Sequence, residues 1–399
     1  MKLEPVGIFM SAILVSRVFN GEPMFSTEMR GLCDDGSKSS PPQAPVKPAF
    51  AINGRFYGQP VTGVQRYARE IVNEIDLQLS GQNVEGQLVI PPAVKAVPNL
   101  KSIKATRATG SDGYLWEQVI LPARAQVPLL NLCNTAPLMV RRQIVCMHDT
   151  NVFDAPDSYS LAFRTVYRVL LPSLARRAAV ITSVSRFSAH QLARHIGIDP
   201  DSVMVMHNGH EHVFRWNAAA STLAGRLSGL RSFVLLLGSK AQHKNAAFIL
   251  RQASALDALG IDLVVAGGTA EIFAHTKTVE ASNIHHLGFV TDDDLAWLYA
   301  HALCLAFPSR SEGFGLPLVE AMALGCPIVS SDQSCMPEIC GDATLLANPD
   351  DAPAWLAHFS ALVSSKALQA DLKARGLARA KLFSWRNSAQ AYLKLLARL

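Results

Sequence analysis

Two glutamates on either side of a glycine-containing turn form the segment of this sequence whose residue types could most readily do chemistry. Glu312 and Glu320 are separated by seven residues, among them Gly313, Gly315 and Pro317. Glycines let backbone N–H groups approach a ligand closely, and a helix N-terminus carries partial positive charge that attracts phosphate. This combination favours a diphosphate-binding turn with two carboxylates facing one cleft.

The elements around this turn would hold it in place. An apolar run that ends at Phe307 predicts a buried strand. Pro317 suits the first turn of a following helix, which would place Glu320 in that turn, and Gly325 suits the position just past the helix end. Acidic residues near a helix start are also ordinary partners of the helix dipole. For Glu320 alone, that simpler interpretation stays open.

A lysine in a second strand-to-helix loop could serve the same ligand. Lys244 follows the predicted strand Phe233–Leu237 and precedes a predicted helix over residues 245–258. A cation at the start of a helix opposes the helix dipole, and a bound phosphate would offset that cost. The position therefore favours phosphate binding over a solvated surface lysine.

Two other polar segments look like metal sites but are better explained by local structure. His285 and His286 are neighbours on a predicted strand, so their side chains should point to opposite faces. The aspartates at 292–294 follow Thr291 at a predicted helix start, where a cap is the simpler role. We therefore expect no metal site.

Bulk composition bounds the class of protein. The chain has 399 residues, of which 49% are hydrophobic and 17% charged, so it should fold as two domains of ordinary size. A net charge of +5 is too mild for a nucleic-acid-binding protein. Seven scattered cysteines do not suggest a disulfide framework, and no apolar run reaches the length of a membrane span. We expect a cytoplasmic protein.

Short aliphatic runs alternate with helical patterns from residue 49 onward, and this alternation predicts parallel sheets flanked by helices. A polar, alanine-rich stretch at 217–228 interrupts the rhythm, which then restarts. The predicted strands are at 50–53, 129–132, 144–147, 180–184, 233–237, 263–266, 303–306 and 328–330. The predicted helices are at 63–79, 158–178, 186–195, 245–258, 292–301, 317–324 and 352–364. The fold class is α/β, with two doubly wound units.

Four segments are expected along the chain. Residues 1–47 include a proline- and serine-rich end and are predicted to be a poorly ordered extension or a mis-assigned start. Residues 48–215 and 216–384 are predicted to be two Rossmann-like domains. Residues 385–399 are predicted to be a terminal helix that crosses back to the first domain. Ligands of such folds bind at the carboxyl ends of the strands, so the cleft between the domains is the expected site.

The string from residue 311 to residue 325 resembles the paired-glutamate motif of retaining glycosyltransferases with the GT-B fold, a family that includes bacterial surface-polysaccharide mannosyltransferases. The resemblance implies that Glu312 contacts the donor sugar and acts in catalysis, and that Glu320 binds the ribose hydroxyls. It also implies that the backbone of Gly313, Phe314, Gly315 and Leu316 holds sugar and phosphate.

Other segments resemble the same family in the same order along the chain. Lys244 takes the position of a diphosphate-binding lysine, in a loop that begins at Gly238. The family often has arginine where this chain has Ser239, and whether Lys240 replaces it stays open. The backbone of the segment Gly288, Phe289 and Val290 resembles the part that reads the nucleotide base.

The first half of the chain matches the family at the opposite side of the cleft. Gly63 resembles the glycine that approaches the phosphate or the transferred sugar. His148 resembles the catalytic-cleft histidine, and Asp149 after it is a candidate for the cleft. Ser185 should cap the next helix, and Arg186 is a candidate for the cleft. The segment 114–118 resembles one found in a subset of the family, where it would shape the acceptor pocket.

The resemblance implies transfer of a hexose from a nucleotide sugar to a glycan or lipid-linked glycan, with retention and without a metal or other cofactor. GDP-mannose is the first expected donor, and UDP-glucose or another UDP-hexose is the alternative. Two rivals remain: an epimerising or phosphorolytic enzyme of the same architecture, and a non-catalytic protein that binds nucleotide sugars or glycans.

The predicted helix at 158–178 carries Arg164, Arg168, Arg176 and Arg177 among apolar residues. A basic amphipathic helix can lie on an anionic membrane, and a core-packed helix with a basic outer face explains the pattern equally well. We therefore expect at most a peripheral, salt-sensitive association with the inner face of the membrane.

Overall fold

A computed structural model describes residues 48–154, 160–239, 241–267 and 281–399. The predicted extension at 1–47 lies outside the described residues. So do Lys240 and the first residues of the helix predicted from position 158.

The first half of the described chain forms a seven-stranded parallel sheet with the order β3-β2-β1-β4-β5-β6-β7. Its strands are β1 (Phe50–Asn53), β2 (Gly86–Ile90), β3 (Ile103–Arg107), β4 (Leu129–Asn131), β5 (Gln143–Cys146), β6 (Val180–Ser183) and β7 (Val203–Val205). The central strands are buried along their whole length, as a parallel sheet covered on both faces requires.

The second half forms a six-stranded parallel sheet with the order β10-β9-β8-β11-β12-β13. Its strands are β8 (Phe233–Leu237), β9 (Asp262–Ala266), β10 (Ile284–Gly288), β11 (Cys304–Phe307), β12 (Ile328–Ser331) and β13 (Leu345–Ala347). In both sheets the strand order reverses beside the first strand, which is the switch point where ligands of such folds bind. The predicted pair of doubly wound α/β units is confirmed.

The helices cover the faces of the two sheets. In the first half they are α1 (Gly63–Leu79), α2 (residues 113–124, with a π-helical centre at Trp116–Ile120), α3 (Asn151–Asp154), α4 (Leu161–Arg177) and α5 (Arg186–Ile196). In the second half they are α6 (Leu223–Arg226), α7 (Ala246–Leu250), α8 (Ala253–Ala258), α9 (Asp292–His301), α10 (Leu316–Ala323), α11 (Met336–Cys340), α12 (Ala352–Ser364), α13 (Lys366–Ala380) and α14 (Trp385–Leu396). In the described part of the chain, no helix combines the length and apolarity that a membrane crossing needs.

One predicted helix is wrong in its extent. The stretch predicted at 245–258 is divided into α7 and α8, and it begins one residue later, at Ala246. Asn245 has a φ of 53°, in the left-handed region, so it precedes the helix rather than belonging to it. The division lies at Gln252, whose ψ of 3° interrupts the regular i→i−4 hydrogen bonds.

The last helix, α14, packs against elements of the first sheet. The Tyr392 hydroxyl lies 2.8 Å from the Tyr67 hydroxyl of α1 and 2.9 Å from Thr182 Oγ1 of β6. All three side chains are buried. Because buried hydroxyls need hydrogen-bond partners, this triad holds the end of the chain against the first half of the fold.

Candidate active site

The turn from Ser311 to Gly315 joins β11 to α10, and its geometry explains both glycines. Gly315 caps α10 with a φ of 79°, a conformation that favours glycine. A Cβ on Gly313 would lie 2.2 Å from the carbonyl oxygen of His148, so the backbones of the two halves of the chain nearly touch there. The predicted Pro317 in the first turn and Gly325 after the helix end are both confirmed.

The turn is held by side chains from the first half of the chain. Ser185 and Ser188, at the start of α5, donate to the Gly313 carbonyl oxygen at 2.7 and 2.9 Å. Ser311 Oγ donates to Asn151 Oδ1 at 2.8 Å. Ser185 also caps α5 by accepting from the Ser188 N–H, as predicted. These bonds fix the turn across the cleft at the carboxyl edge of the first sheet.

A second contact across the cleft involves Glu338 on α11. Its carboxylate accepts hydrogen bonds from the backbone N–H groups of Arg186 and Phe187, both at 2.9 Å. Although burial opposes the charge, these bonds and the neighbouring His207 lower the pKa of Glu338. Arg186, a candidate for the cleft, thus contributes its backbone at this contact, while its side chain is exposed.

Lys244 and Glu312 meet in this turn although they are 68 residues apart. The Lys244 ammonium nitrogen lies 2.6 Å from Glu312 Oε1. Glu312 is 9% exposed, and its backbone N–H and carbonyl both bond to the Ser334 hydroxyl. The paired charges sit beside the N-terminus of α10, which has no side-chain cap. The site therefore combines a partly exposed cation, a buried carboxylate and uncapped backbone N–H groups.

The prediction that Glu320 lies in the first turn of the helix is wrong. Glu320 is the fifth residue of α10 and not in the first turn, because the helix begins at Leu316. Its Oε1 lies 3.0 Å from His212 Nε2, and its Oε2 accepts from the Tyr299 hydroxyl at 3.4 Å. His212 Nδ1 accepts from the Trp385 indole N–H at 3.0 Å. Since an indole N–H can only donate, the His212 proton must lie on Nε2, and it is donated to Glu320.

His148 sits between the turn and the first sheet. Its ring nitrogen Nε2 lies 2.7 Å from the Leu132 carbonyl oxygen, its backbone N–H donates to Asn134 Oδ1 at 2.7 Å, and its ring packs edge-on against Tyr67. Burial disfavours the charged imidazole, but the negative charge of the adjacent Cys146 in its thiolate form and the Leu132 carbonyl raise the pKa of His148. The carbonyl oxygen of His148, rather than its ring, is the group next to Gly313.

Asp149 lies close to the same turn, since its Cβ would be 3.2 Å from a Cβ on Gly313. Burial, reinforced by the nearby Glu312 charge, raises the pKa of Asp149 against the opposing bond from the Asn151 N–H. The protonated form is therefore favoured to a higher pH than in water, which limits repulsion with Glu312.

The other residues predicted to bind the sugar donor differ in whether their side chain or only their backbone is accessible. Phe314 is buried against Phe383, so only its backbone is offered to a ligand, and Leu316 is buried too. A Cβ on Gly238 would lie 2.8 Å from the Gly267 carbonyl oxygen, which explains that glycine by packing. Gly288 ends β10, and Phe289 is 90% exposed.

Gly63 is the first residue of α1, and a Cβ there would meet no atom within 4 Å. Arg66, three residues later on the same face, pairs with Asp292 of α9 at 2.6 Å. Its guanidinium lies 5.5 Å from the centre of the Trp216 ring. Arg66 thus joins α1 of the first half to α9 of the second half, a contact that the sequence did not predict.

Metal binding has no candidate group here: within the described ranges, no three His, Cys, Asp or Glu side chains are placed to share an ion. A groove of about 930 Å³ runs beside α1 and α14, but none of the predicted donor residues lines it. A smaller cavity of about 380 Å³ opens at the carboxyl ends of β1 and β4.

Comparison with known proteins gives the family. Residues 231–365 match the model for glycosyl transferases group 1. O-antigen chain mannosyltransferase B of Escherichia coli is 30% identical over 263 residues, covering 63% of this chain and 69% of that protein. O-antigen chain mannosyltransferase RfbU of Salmonella typhimurium is 27% identical over 278 residues, covering 66% of this chain and 74% of that protein.

A solved structure shows the same architecture. Sucrose-phosphate synthase from Thermosynechococcus elongatus superposes with a TM-score of 0.70 at 18% identity, covering 89% of this chain and all of that one. With its two facing parallel sheets and its glycine turn, this chain is a glycosyltransferase with the GT-B fold and belongs to the group 1 glycosyl transferases.

Proposed function

We propose that this enzyme transfers mannose from GDP-mannose to a glycan acceptor in bacterial surface-polysaccharide synthesis, with retention at the anomeric carbon. The observation that carries the proposal is the Lys244–Glu312 pair beside the uncapped N-terminus of α10. The choice of mannose is supported by the names of the O-antigen mannosyltransferases to which the chain is similar. A UDP-hexose donor is the alternative.

The pair supplies the two charges that the reaction requires. When the bond between C1 of the sugar and the diphosphate breaks, negative charge grows on the leaving group, and Lys244 with the N-terminus of α10 stabilises it. When the Lys244 ammonium group pairs with the diphosphate instead of with Glu312, the Glu312 carboxylate becomes available to stabilise the positively charged sugar. A leaving-phosphate oxygen takes the acceptor proton as the acceptor oxygen bonds to C1 on the same face, which gives retention.

His148 is proposed to connect the two substrates. Its carbonyl oxygen borders Gly313, while its ring and N–H bind the loop that contains Leu132 and Asn134. We propose that it fixes the distance between that loop and the donor turn. Glu320 would hold the ribose, Gly63 would approach the phosphate, and the backbone of Gly288 to Val290 would face the base. No cofactor is part of the proposal.

Calorimetric titration with GDP, UDP, ADP and dTDP tests the donor proposal. We expect GDP to bind most tightly and the Lys244→Ala variant to bind every nucleotide diphosphate about 10- to 100-fold more weakly, because a charge-assisted hydrogen bond contributes about 1.5–3 kcal/mol. Preferred binding of UDP would select the alternative donor.

The Lys244→Ala change also leaves Glu312 without its cation, so a Lys244→Ala/Glu312→Gln variant serves as the matched control. Equal binding by the wild type and both variants would contradict the phosphate role of Lys244. Retention is read separately, from the anomeric configuration of the product formed from the α-linked donor. Epimerised nucleotide sugar formed from donor alone would instead favour the epimerase alternative.

We further propose peripheral contact with an anionic membrane through one side of the first half of the chain. Gln118 of α2 bonds to the loop at 136–138, and Arg177 of α4 bonds to the Leu138 carbonyl, so the two helices and this loop form one surface. Its exposed apolar side chains are Leu115, Val119, Met139, Leu161 and Val169. Its exposed arginines are Arg124, Arg141, Arg168, Arg176 and Arg177.

Sedimentation with lipid vesicles checks this surface. We expect binding to vesicles that contain anionic lipid, release at high salt, and about tenfold or greater weakening in an Arg168→Glu/Arg176→Glu variant, since each basic residue near such a surface contributes about 1 kcal/mol. Binding that is insensitive to salt or equal on neutral vesicles would contradict it. An Arg226→Glu/Arg251→Glu variant, with two exposed arginines changed in the second half of the chain, is the charge-matched control.

A further inference from the structure

The cavity of about 380 Å³ in the first half of the chain has the features of a second substrate pocket. It lies at the carboxyl ends of β1 and β4 and is lined by side chains from β1, the start of α1, α2, α4 and the loop after β4. None of the donor-turn residues lines it. It adjoins the donor site through Leu132 and Asn134, the two residues that hold His148, and through Thr62 and Val64 on either side of Gly63.

The floor of the pocket is a buried polar network with fixed geometry. Glu117 is 1% exposed, and its carboxylate accepts from Asn53 Nδ2 at 2.9 Å, Thr135 Oγ1 at 3.0 Å and Arg55 Nη1 at 3.3 Å. Asn53 is bonded in turn to Asn131. Because a buried carboxylate needs such partners, the network is rigid and holds Arg55 in place.

Arg55 presents unused donors to the pocket. Its Nη1 bonds to Glu117 and Thr135, while its Nε and Nη2 have no partner in the described residues. The guanidinium lies 4.4 Å from the centre of the Tyr114 ring. A planar guanidinium offers parallel N–H groups that suit two adjacent oxygens. The pocket therefore has a donor fork fixed against an aromatic wall.

The charge balance selects the kind of ligand. Glu117 compensates the charge of Arg55 at the floor, so the pocket has little excess charge for an anion. Tyr114 and Tyr167 supply aromatic surface that can pack against the C–H face of a sugar ring. The volume suits about one or two such rings.

We propose that this pocket binds the terminal neutral sugar of the glycan acceptor, with adjacent hydroxyls on Arg55 and the ring against Tyr114. This inference rests on the proposed glycosyl transfer and adds the acceptor class and its residues. Tyr114 and Tyr167 lie on α2 and α4, the helices that form the proposed membrane surface. An acceptor with a lipid anchor could thus reach the pocket from that side.

The test is NMR titration of the wild-type enzyme with methyl glycosides of mannose, glucose, galactose and N-acetylglucosamine, and with methyl glucuronide as the anionic arm. We expect at least one neutral glycoside to bind, and Tyr114→Ala to weaken that binding about tenfold or more. Tyr114 is 43% exposed, so its loss should not unfold the chain. Leu115→Ala, at the neighbouring exposed position outside the pocket, is the matched control.

The Arg55→Lys variant keeps the charge beside Glu117 but removes the fork, and it should weaken the same glycoside while GDP binding stays unchanged. The proposal is overturned if no neutral glycoside binds, if glucuronide binds more tightly, or if Tyr114→Ala binds as the wild type does. Failure of the donor proposal would appear separately, as loss of nucleotide binding with glycoside binding intact.

Discussion

Replacement of Gly313 by alanine is expected to reduce sugar transfer about 100-fold or more while the chain stays folded. The new Cβ would lie 2.2 Å from the His148 carbonyl oxygen, and neither backbone can yield without opening the cleft. The bonds from Ser185 and Ser188 to the Gly313 carbonyl would then be lost. A misplacement of about 1 Å between reacting groups can cost about 100-fold in rate.

The measurement is kcat/KM for transfer, beside thermal unfolding of the same preparation. Gly225→Ala is the control, because a Cβ at Gly225 meets no atom within 4 Å and the residue lies far from the turn in sequence. Full activity in Gly313→Ala would show that the close approach of the two halves is not needed for transfer. An accompanying loss of fold would assign the glycine to stability instead.

Gly63→Ala separates ligand contact from packing in the same experiment. The protein itself offers no obstacle to a Cβ at Gly63. Any fall in activity there would arise from the substrate, as the proposed approach of Gly63 to the phosphate requires.

The sequence was sufficient for the elements whose signals are local. The strands β1 and β8 and the helices α1, α9 and α12 have the bounds that their buried runs and caps predict. Thr291 and Asp294 form the expected capping box at the start of α9. By contrast, β3 has a single buried residue, Ile103, and its exposed, partly charged remainder carries no strand pattern. Its pairing with β2 is what makes it a strand.

The residues of the candidate site likewise fall into those that the local sequence predicts and those that it does not. Glu312, its glycines and Lys244 could be identified because each lies in a short segment between a strand and a helix. The partners that orient these groups could not, because they come from distant positions: His212 lies 108 residues from Glu320, and Trp385 lies 173 from His212. Arg55 and Glu117 are likewise 62 residues apart. No local pattern encodes such pairs, which arise only when the two sheets and the last helix pack together.

Replacement of His212 by leucine should lower the free energy of unfolding by about 3 kcal/mol and also raise KM for the nucleotide sugar. His212 is fully buried, and Glu320 is 5% exposed with its Oε1 on His212. Because His212 Nδ1 is an acceptor, His212 gives Glu320 a hydrogen bond rather than a compensating charge. Its loss leaves the buried carboxylate without that donor, at a cost of about 3 kcal/mol for a charged group. Denaturant unfolding and steady-state kinetics measure the two effects, and His190→Leu, at an exposed position on α5, is the matched control.

Two further variants separate stability from positioning. In His212→Leu/Glu320→Gln the buried charge is gone, so much of the stability should return, while KM for the donor should stay high because the ribose loses its carboxylate. Trp385→Phe keeps a buried aromatic ring but removes part of the indole together with the N–H that sets the His212 tautomer, so some loss of stability is also expected. It should raise KM for the donor with kcat nearly unchanged, since a mis-set His212 no longer aims its proton at Glu320. If Trp385→Phe altered stability but not KM, the hydrogen bonds from Trp385 through His212 to Glu320 would serve stability alone, and the ribose would be held by other groups.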